Sequence, residues 1–522
     1  MVTRFAPESK NKVYCHKCWW GDGWDPKYYG KEYDFNQPFF EQFKKLLNSV
    51  PHVSLISSNA VNSDWVNQET DDKNCYLNFG GHFNEDSAYN IFELYGKSSF
   101  DNYWLLRGNF CYENINVENS YKTIYSRDCI DCQETSFSYD CRNCQNCFGC
   151  AGLRNKKYHL FNKQISKEEY EEFVRNNPLT HKNVENFKKR ARVVHLSMPR
   201  RYAAIFKSVN STGDILSECK NCKNSWFSEK MEDCRNIYVA ADLKDTQDVS
   251  AVGWSELVYE GGHSMGLYNS KFFVYTISSG TGINSNNLQY CYSTIGSSNC
   301  FGCVNLTKAE YCILNKQYSK EDYEKLVPQI IEHMKIMPYV DKIGRTYKYG
   351  EFFPPEISLF AYNESGAQDY YPLGREEALA HGFNWRDAEE EKRDAVEIYA
   401  VPDSIVEVGD EVLDKILKCE VSGHLYKIIP MEIQFYRKMG LPLPKRAPNQ
   451  RQKDRIDQLL PKVLYERTCM CNLTSSEGQT AYANTAKHEH GDGPCENKIQ
   501  TPYPPERPEI VYCENCYNLE IA

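Results

Sequence analysis

Hydrophobic and polar positions along this chain recur in rows, not in helical stripes. Cut into rows of 18 from Cys75, residues 75–164 read CYLNFGGHFNEDSAYNIF, ELYGKSSFDNYWLLRGNF, CYENINVENSYKTIYSRD, CIDCQETSFSYDCRNCQN and CFGCAGLRNKKYHLFNKQ. The first column is Cys in four of the five rows, and the second is apolar in every row (Tyr, Leu, Tyr, Ile, Phe). A weaker version starts at Ser264 and ends in CFGCVNLTKAEYCILNKQ at 300–317. Apolar and small residues recurring at a fixed period, with no 3.6-residue periodicity, predict stacked β-coils at ~4.8 Å spacing. The expected fold class is therefore mainly β: two β-solenoid modules of ~18-residue coils. A set of Tyr/Asn-rich antiparallel hairpins is the alternative.

A larger repeat pairs the modules. CFGCAGLRNKKYHLFNKQISKEEYE at 147–171 matches CFGCVNLTKAEYCILNKQYSKEDYE at 300–324, at an offset of 153 throughout. Both copies end in a capping box, Ser166-x2-Glu169 and Ser319-x2-Asp322, so a helix is expected after each. The second helix should break at Pro328. A charged helical pattern fills 179–210, and 338–373 is Pro- and aromatic-rich, an extended arm suited to wrapping another surface. REEALAHGFNWRDAEEEKRD at 375–394 has the pattern of an acidic surface helix anchored by Phe383 and Trp385. A third repeat links the ends of the chain: TRFAPESKNKVYCHKCW at 3–19 and TPYPPERPEIVYCENCY at 501–517, each a strand entering a Cys-x2-Cys knuckle.

The resulting partition is an N-terminal half ribbon and helix (1–50), a first module (51–178), a helical linker (179–210) and a second module (211–335). An arm with an acidic helix (336–415) and a C-terminal basic helix and zinc ribbon (416–522) complete it.

Composition adds three constraints. A net charge of −10 argues against a chain that coats nucleic acid over its whole surface. No apolar run approaches ~18 residues, which excludes a helical membrane span, and the first residues lack the apolar core of a secretory signal. The 23 cysteines include eight overlapping Cys-x2-Cys pairs, a spacing of reduced thiols, which places the protein in the cytoplasm or an equivalent reducing compartment such as a virion interior.

Those cysteines are also the candidate metal ligands. Tetrahedral zinc takes four N/S ligands, commonly as two knuckles. At the C-terminus Cys469, Cys495, Cys513 and Cys516 fit, with Cys471 a substitute for Cys469. His488 and His490 either add a ligand or belong to a solvated loop. Four thiolates leave no position for water, so such a zinc would be structural. Cys15 and Cys18 form half a site, whose remaining ligands must come from elsewhere. In the centre, 18-residue coils would stack Cys129 and Cys132 on Cys147 and Cys150. That stack is a dry ladder, an inter-coil zinc site or, least favoured, part of an iron–sulfur cluster.

Arg437, Lys438, Arg446, Arg451 and Arg455 belong to the one clear basic cluster, a candidate phosphate-contacting patch or a solvated helix face. Cys419-x2-Ser422 resembles a knuckle whose second position is Ser, a poor zinc ligand at neutral pH, which argues against a metal there. No Gly-rich phosphate loop, His-Glu-x2-His or nucleophile elbow is present, so no catalytic residue is assigned.

The segments YCHKCWWGDGWDPKYYG, NCFGCAGLRNKKYHLFN, YGEFFPPEISLFAYNESGAQDYYPL, GHLYKIIPMEIQFYRKMGLPLP and RPEIVYCENCY resemble a family of uncharacterised cysteine-rich proteins of candidate-phyla bacteria and some large DNA viruses. The resemblance implies a zinc ribbon at each end of a Cys-rich centre. It implies no activity: some members carry a CoA-transferase label, which nothing in these residues supports. This chain departs from the pattern at its N-terminus, where the first half of the expected ribbon is missing. The expected role is a non-enzymatic, zinc-binding scaffold whose modules and arms bind protein partners, in a large assembly. The alternatives are a nucleic-acid-binding accessory factor and a polysaccharide-active or glycan-binding solenoid.

Overall fold

A computed structural model describes residues 1–256, 262–265, 267–268, 285–387, 397–473 and 482–521. Its secondary structure is mainly strand, in many short parallel sheets with few helices. Two compact units are each built from separated stretches of chain. One joins Met1–Ile56 to Ala203–Glu389 and Lys462–Leu464; the other joins Ser57–Tyr202 to Glu390–Pro461 and Tyr465–Ala522.

In the unit containing Ser57–Tyr202, parallel pairing advances by twelve residues. Ile91 pairs with Tyr103, Tyr103 with Ile115 and Ile115 with Arg127. Gln133 pairs with Gln145 and Gln145 with Lys157, and isolated bridges carry the same spacing from Val61↔Lys73 onward. The register is thus twelve residues, not eighteen. Both numbers are multiples of three, and three is the underlying unit. In each triplet one residue points inward, one lies on the ladder and one has positive φ, as in the series Asn74, Leu77, Gly80, Phe83 and Asp86. Four triplets make a rung. A Cys-x2-Cys pair is therefore two adjacent inward positions. Cys129 and Cys132 stack on Cys141 and Cys144, while Cys147 stacks on Thr135.

The interior is narrow, and its residues are small and hydrogen-bonded to the backbone. In one column each side chain accepts from the main-chain N–H of the next rung. Asn78 Oδ1 accepts from Asn90 N (3.1 Å), Asn90 from Asn102 (2.8 Å), Asn102 from Asn114 (3.1 Å) and Asn114 from Ser126 (2.9 Å); Ser126 and Ser138 continue the pattern to Cys150. Inward Ser and Cys also donate to the carbonyl two residues back, as Ser87 Oγ to Glu85 (3.1 Å) and Cys132 Sγ to Ile130 (3.4 Å). This local bond satisfies a buried polar group without a partner chain. Non-glycine residues in the left-handed region are strained, and Asn and Asp tolerate it best. Outward Asn/Asp ladders accordingly recur twelve apart, among them Asn62–Asn74–Asp86 and Asn224–Asn236–Asp248.

The second ladder starts with an eleven-residue step, Ile205↔Leu216, and then runs mostly at twelve, as in Trp226↔Tyr238 and Ser298↔Glu310, with one step of eighteen, Leu267↔Ser285. Cys219, Cys222, Cys234, Cys291, Cys300, Cys303 and Cys312 line its core with Leu216, Ile237, Leu243 and Leu288. Most of the first 18-residue row read from Ser264 lies outside the described residues, as does the end of the acidic helix pattern at 388–394.

Each ladder ends in the same device, the Asn-Lys-Gln of the larger sequence repeat. Phe161–Asn162 and Leu314–Asn315 are two-residue turns with positive φ at both positions, the geometry of a type I′ hairpin. They reverse the chain into antiparallel pairs, Leu160↔Lys163 and Ile313↔Lys316. The Asn amide then bonds the last rung on both sides: Asn162 accepts from Ala151 N (2.8 Å) and donates to Ala151 O (2.9 Å), and Asn315 does the same at Val304 (2.7 and 2.8 Å). An open sheet edge is thereby closed.

The capped helices follow at Lys167–Asn176 and Lys320–Ile336. The second runs through Pro328 without breaking, because Tyr323, Val327, Ile330 and Met334 bury one face on both sides of the proline. The aromatic arm folds onto its own unit. Phe353 packs on Phe40, Phe43 and Tyr290, and Tyr349 donates to Gln289 Oε1 (2.8 Å).

Three inward positions of the first ladder carry acids: Glu69, Asp72 and Glu93. Burial raises the Glu93 carboxyl well above its ordinary value, and repulsion from Asp72 adds to this. A raised folded-state value means its stabilising neutral form is fully present below ~pH 4 and is lost as pH rises. Glu93→Gln keeps the size and an acceptor for Asn78 and Asn90 (3.1 and 2.9 Å) but carries no charge. We expect it to melt a few degrees higher than wild type at pH 8, with the gap closing towards pH 4. Thermal unfolding at both pH values checks this; an equal or lower Tm at pH 8 would count against a buried acid forced to ionise.

Candidate metal centre

The C-terminal cysteines are brought together by three short elements. Tyr465–Thr468 pairs antiparallel with Lys498–Thr501, which sets Cys469 just past one strand and Cys495 just before the other. Val511–Tyr512 pairs parallel with Arg200–Arg201 and delivers Cys513, and the helix Glu514–Ile521 carries Cys516. The Sγ atoms of Cys469, Cys495, Cys513 and Cys516 all lie within 4.8 Å of one another, and all four residues are buried. Tetrahedral zinc with bonds of ~2.3 Å spaces its sulfurs by about 3.8 Å, so the cluster fits a four-coordinate ion.

The surrounding hydrogen bonds favour thiolates. Cys513 N donates to Cys469 Sγ (3.1 Å), and Asn497 Nδ2 donates to Cys513 Sγ (3.5 Å). Burial pushes the Cys469 thiol up to about 12. Bringing four such groups together as thiolates is unfavourable unless a cation takes their charge, which makes metal affinity fall with acidity. Cys471 lies outside this set, in a second group with His488, His490 and Cys516.

The N-terminal pair has the same local geometry. Val13–Tyr14 pairs parallel with His52–Val53, and Trp19 N donates to Cys15 O (2.8 Å) as Tyr517 N does to Cys513 O (2.9 Å). Cys18 is exposed, and among the described residues no third His, Cys, Asp or Glu joins Cys15 and Cys18. Neither do Cys129, Cys132, Cys147 and Cys150 converge: the twelve-residue register puts them in different stacks, and among the described residues no ladder cysteine belongs to a ligand group. The Cys419 turn is knuckle-shaped, with Ser422 N donating to Cys419 Sγ (3.4 Å).

The basic cluster is not an open face. Arg451 and Arg455 are buried, and both pair with Asp101; Arg451 also donates to Glu432 (3.1 Å) and Tyr436 Oη (2.8 Å). Arg437 pairs with Asp410 (2.6 Å), Arg446 with Glu420 and Asp454 (2.9 and 2.7 Å), and the Lys438 ammonium sits 4.0 Å over the Phe110 ring. Arg451, Arg455 and Lys438 hold the C-terminal helices to the first ladder, whereas Arg437 and Arg446 pair within the C-terminal segment. Two of the five offer no surface to phosphate. What sequence reasoning missed was Asp101 and Glu432, which sit 331 residues apart and show no shared pattern.

No family model matches the chain, and no curated protein matches it. Among solved structures, a provisionally assigned acetyltransferase from Desulfovibrio desulfuricans is similar at 11% identity, over 51% of this chain and 68% of that one, with a TM-score of 0.12. Overlap this low carries no argument about fold or activity.

Asp101→Asn keeps the shape and the left-handed backbone but removes the charge shared by two buried guanidiniums. Breaking such a network costs about 3–5 kcal/mol. Urea unfolding should show a loss of this size, and Arg451→Met in the same chain should recover part of it. A loss below ~1 kcal/mol would mean the pair is solvated.

Proposed function

We propose that this protein is a non-enzymatic, zinc-binding scaffold: two β-solenoid modules, each finished by a knuckle, of which the C-terminal one is a complete zinc ribbon. The four convergent cysteines carry this reading. They tie a hairpin, a strand and a helix into one cluster, and that cluster is keyed onto the end of the first ladder. Arg154 Nη2 donates to Tyr517 Oη (3.0 Å), Tyr517 donates to Asp140, Tyr139 Oη lies 3.3 Å from Tyr503 Oη, and Thr501 Oγ1 donates to Tyr202 O (2.5 Å). Zinc would thus stabilise the module as well as the ribbon, and structural zinc in small domains supplies on the order of 10 kcal/mol.

The chemistry of the remaining groups supports a structural role. The ladder thiols are closed onto backbone carbonyls, and the buried guanidiniums of Arg451 and Arg455 are taken up in pairs with Asp101 and Glu432. All 23 cysteines are free, which suits a reducing, cytoplasmic setting. No helix among the described residues is long and apolar enough to cross a membrane. Protein partners belong to this reading through the outward aromatic stack of Phe83 on Tyr95 (5.2 Å), extended by Arg107, because both rings are half exposed. Cross-linking in cells that recovers no protein partner would remove this part.

Metal analysis of the purified chain tests the core of the proposal. Zinc should be present, Cys495→Ser should lower its content, and a strong chelator should lower Tm in wild type far more than in the variant. A zinc-free chain, or one carrying iron, would overturn it.

A further inference from the structure

Cys516 belongs to two ligand groups at once. Besides the four-thiol cluster, its sulfur lies within 4.8 Å of ligand atoms of Cys471, His488 and His490. We propose that the C-terminal ribbon holds two zinc ions bridged by the Cys516 thiolate, one on Cys469, Cys495, Cys513 and Cys516 and the other on Cys471, His488, His490 and Cys516. This rests on the ribbon reading above and adds a second ion to it.

The imidazoles are arranged as metal ligands. His488 turns Nδ1 towards Cys471 Sγ (3.6 Å) and gives Nε2 to Glu520 Oε1 (2.7 Å). His490 turns Nε2 towards Cys516 Sγ (3.5 Å) and gives Nδ1 to Gly493 O (2.9 Å). In both rings one nitrogen faces the sulfurs while the other meets a fixed acceptor. Donation of the remote N–H to a carboxylate or carbonyl sets the tautomer, leaving a lone pair on the near nitrogen. Glu520 is itself held by Thr485 N, Thr485 Oγ1 and Ala486 N (2.8, 2.8 and 3.0 Å), and its side chain is fully buried. A buried carboxylate so fastened is a positioning group for a ring that must keep one orientation.

Cys471 is prepared in the same way. Asn484 Nδ2 donates to its sulfur (3.0 Å), and Asn484 is oriented by Tyr512 Oη donating to its Oδ1 (2.8 Å). A hydrogen bond donated to sulfur favours its thiolate form.

Ligand arithmetic closes the case for a bridge. Residues 465–521 contain five cysteines and two histidines, seven ligands in all. Two four-coordinate ions need eight positions, so one ligand must serve both, and Cys516 is the residue common to the two groups. The five thiolates and two divalent ions sum to −1, close to neutral for a buried centre.

The test uses the full chain carrying Cys15→Ser and Cys18→Ser, so that the N-terminal pair adds no metal. Zinc analysis should give two ions per chain, and His488→Gln with His490→Gln should leave one. After cadmium-113 substitution, the parent should show two resonances split by mutual coupling through a shared sulfur, and the double variant one unsplit resonance. Glu520→Gln, which touches no metal, should weaken the second ion 10–100-fold and spare the first. One zinc in the parent, unchanged in the double variant, would overturn the second site while leaving the ribbon intact. Two cadmium resonances without splitting would overturn the bridge. No zinc at all would sink the ribbon and the bridge together.

Discussion

The width of a twelve-residue rung governs most of this structure. Four triplets enclose a space that admits one side chain from each, so the inward positions are largely Ser, Cys, Asn, Thr and Gly, with a few Leu and Val such as Leu105 and Val117. Every inward polar group must find its partner within its own or the adjacent rung, because no other chain reaches it. The Asn column does this by accepting from the next rung, and the Ser and Cys positions do it by donating two residues back. The same geometry forces a left-handed residue at every third position, and the outward Asn/Asp ladders and ring stacks offset that strain. Composition follows from this constraint: the surplus of cysteine fills the inside, and tyrosine and phenylalanine line the outside.

A second consequence concerns the ends. A stack of parallel rungs exposes a full set of unpaired backbone groups at each terminus, an invitation to further pairing. Both ladders resolve this alike, with an Asn-centred hairpin and a capped helix, and each unit adds a knuckle strand paired in parallel with a short entry strand. The two units are variations on one plan, built from non-contiguous pieces. Both keep a strand that enters a Cys-x2-Cys turn, and at the C-terminal one a hairpin adds Cys469 and Cys495.

Much of this plan was legible in the residues, and the part that was not has a physical reason. The offset of 153 between the modules, the capping boxes and the knuckle repeat are local patterns in which backbone geometry is written by neighbouring residues, as at Ser166–Glu169. The rung length was harder. Cys75, Cys111, Cys129 and Cys147 are spaced by multiples of 18 only because each occupies an inward position, and inward positions repeat every three residues. Sequence reports the phase of the triplet; only pairing across the ladder reports that four of them make a turn. The fate of Arg451 and Arg455 was equally hidden, since charge clustering along a chain does not reveal a carboxylate supplied from Asp101 far upstream. His488 looked like a loop residue for the same reason, because its anchor Glu520 comes from another element.

The cysteines of this chain sit in two main settings, which differ in what surrounds the sulfur. Ladder thiols donate: Cys129 to Arg127 O (3.4 Å), Cys219 to Ser217 O (3.3 Å), Cys300 to Ser298 O (3.3 Å). Donation needs the proton, and at Cys111 burial keeps it on, pushing that thiol up to about 12. The sulfurs of the C-terminal cluster accept, from Cys513 N, Asn497 and Asn484. An acceptor sulfur is poised to lose its proton to a cation, whereas a donor sulfur is tied to the backbone that surrounds it. Identical Cys-x2-Cys spacing therefore marks two adjacent triplets of a rung in one part of the chain and, at Cys513 and Cys516, two members of a convergent group that could hold a metal ion in another. The distinction lies in the neighbours: ladder sulfurs face main-chain carbonyls two residues back, whereas the C-terminal sulfurs face one another and the N–H groups of Cys513, Asn497 and Asn484.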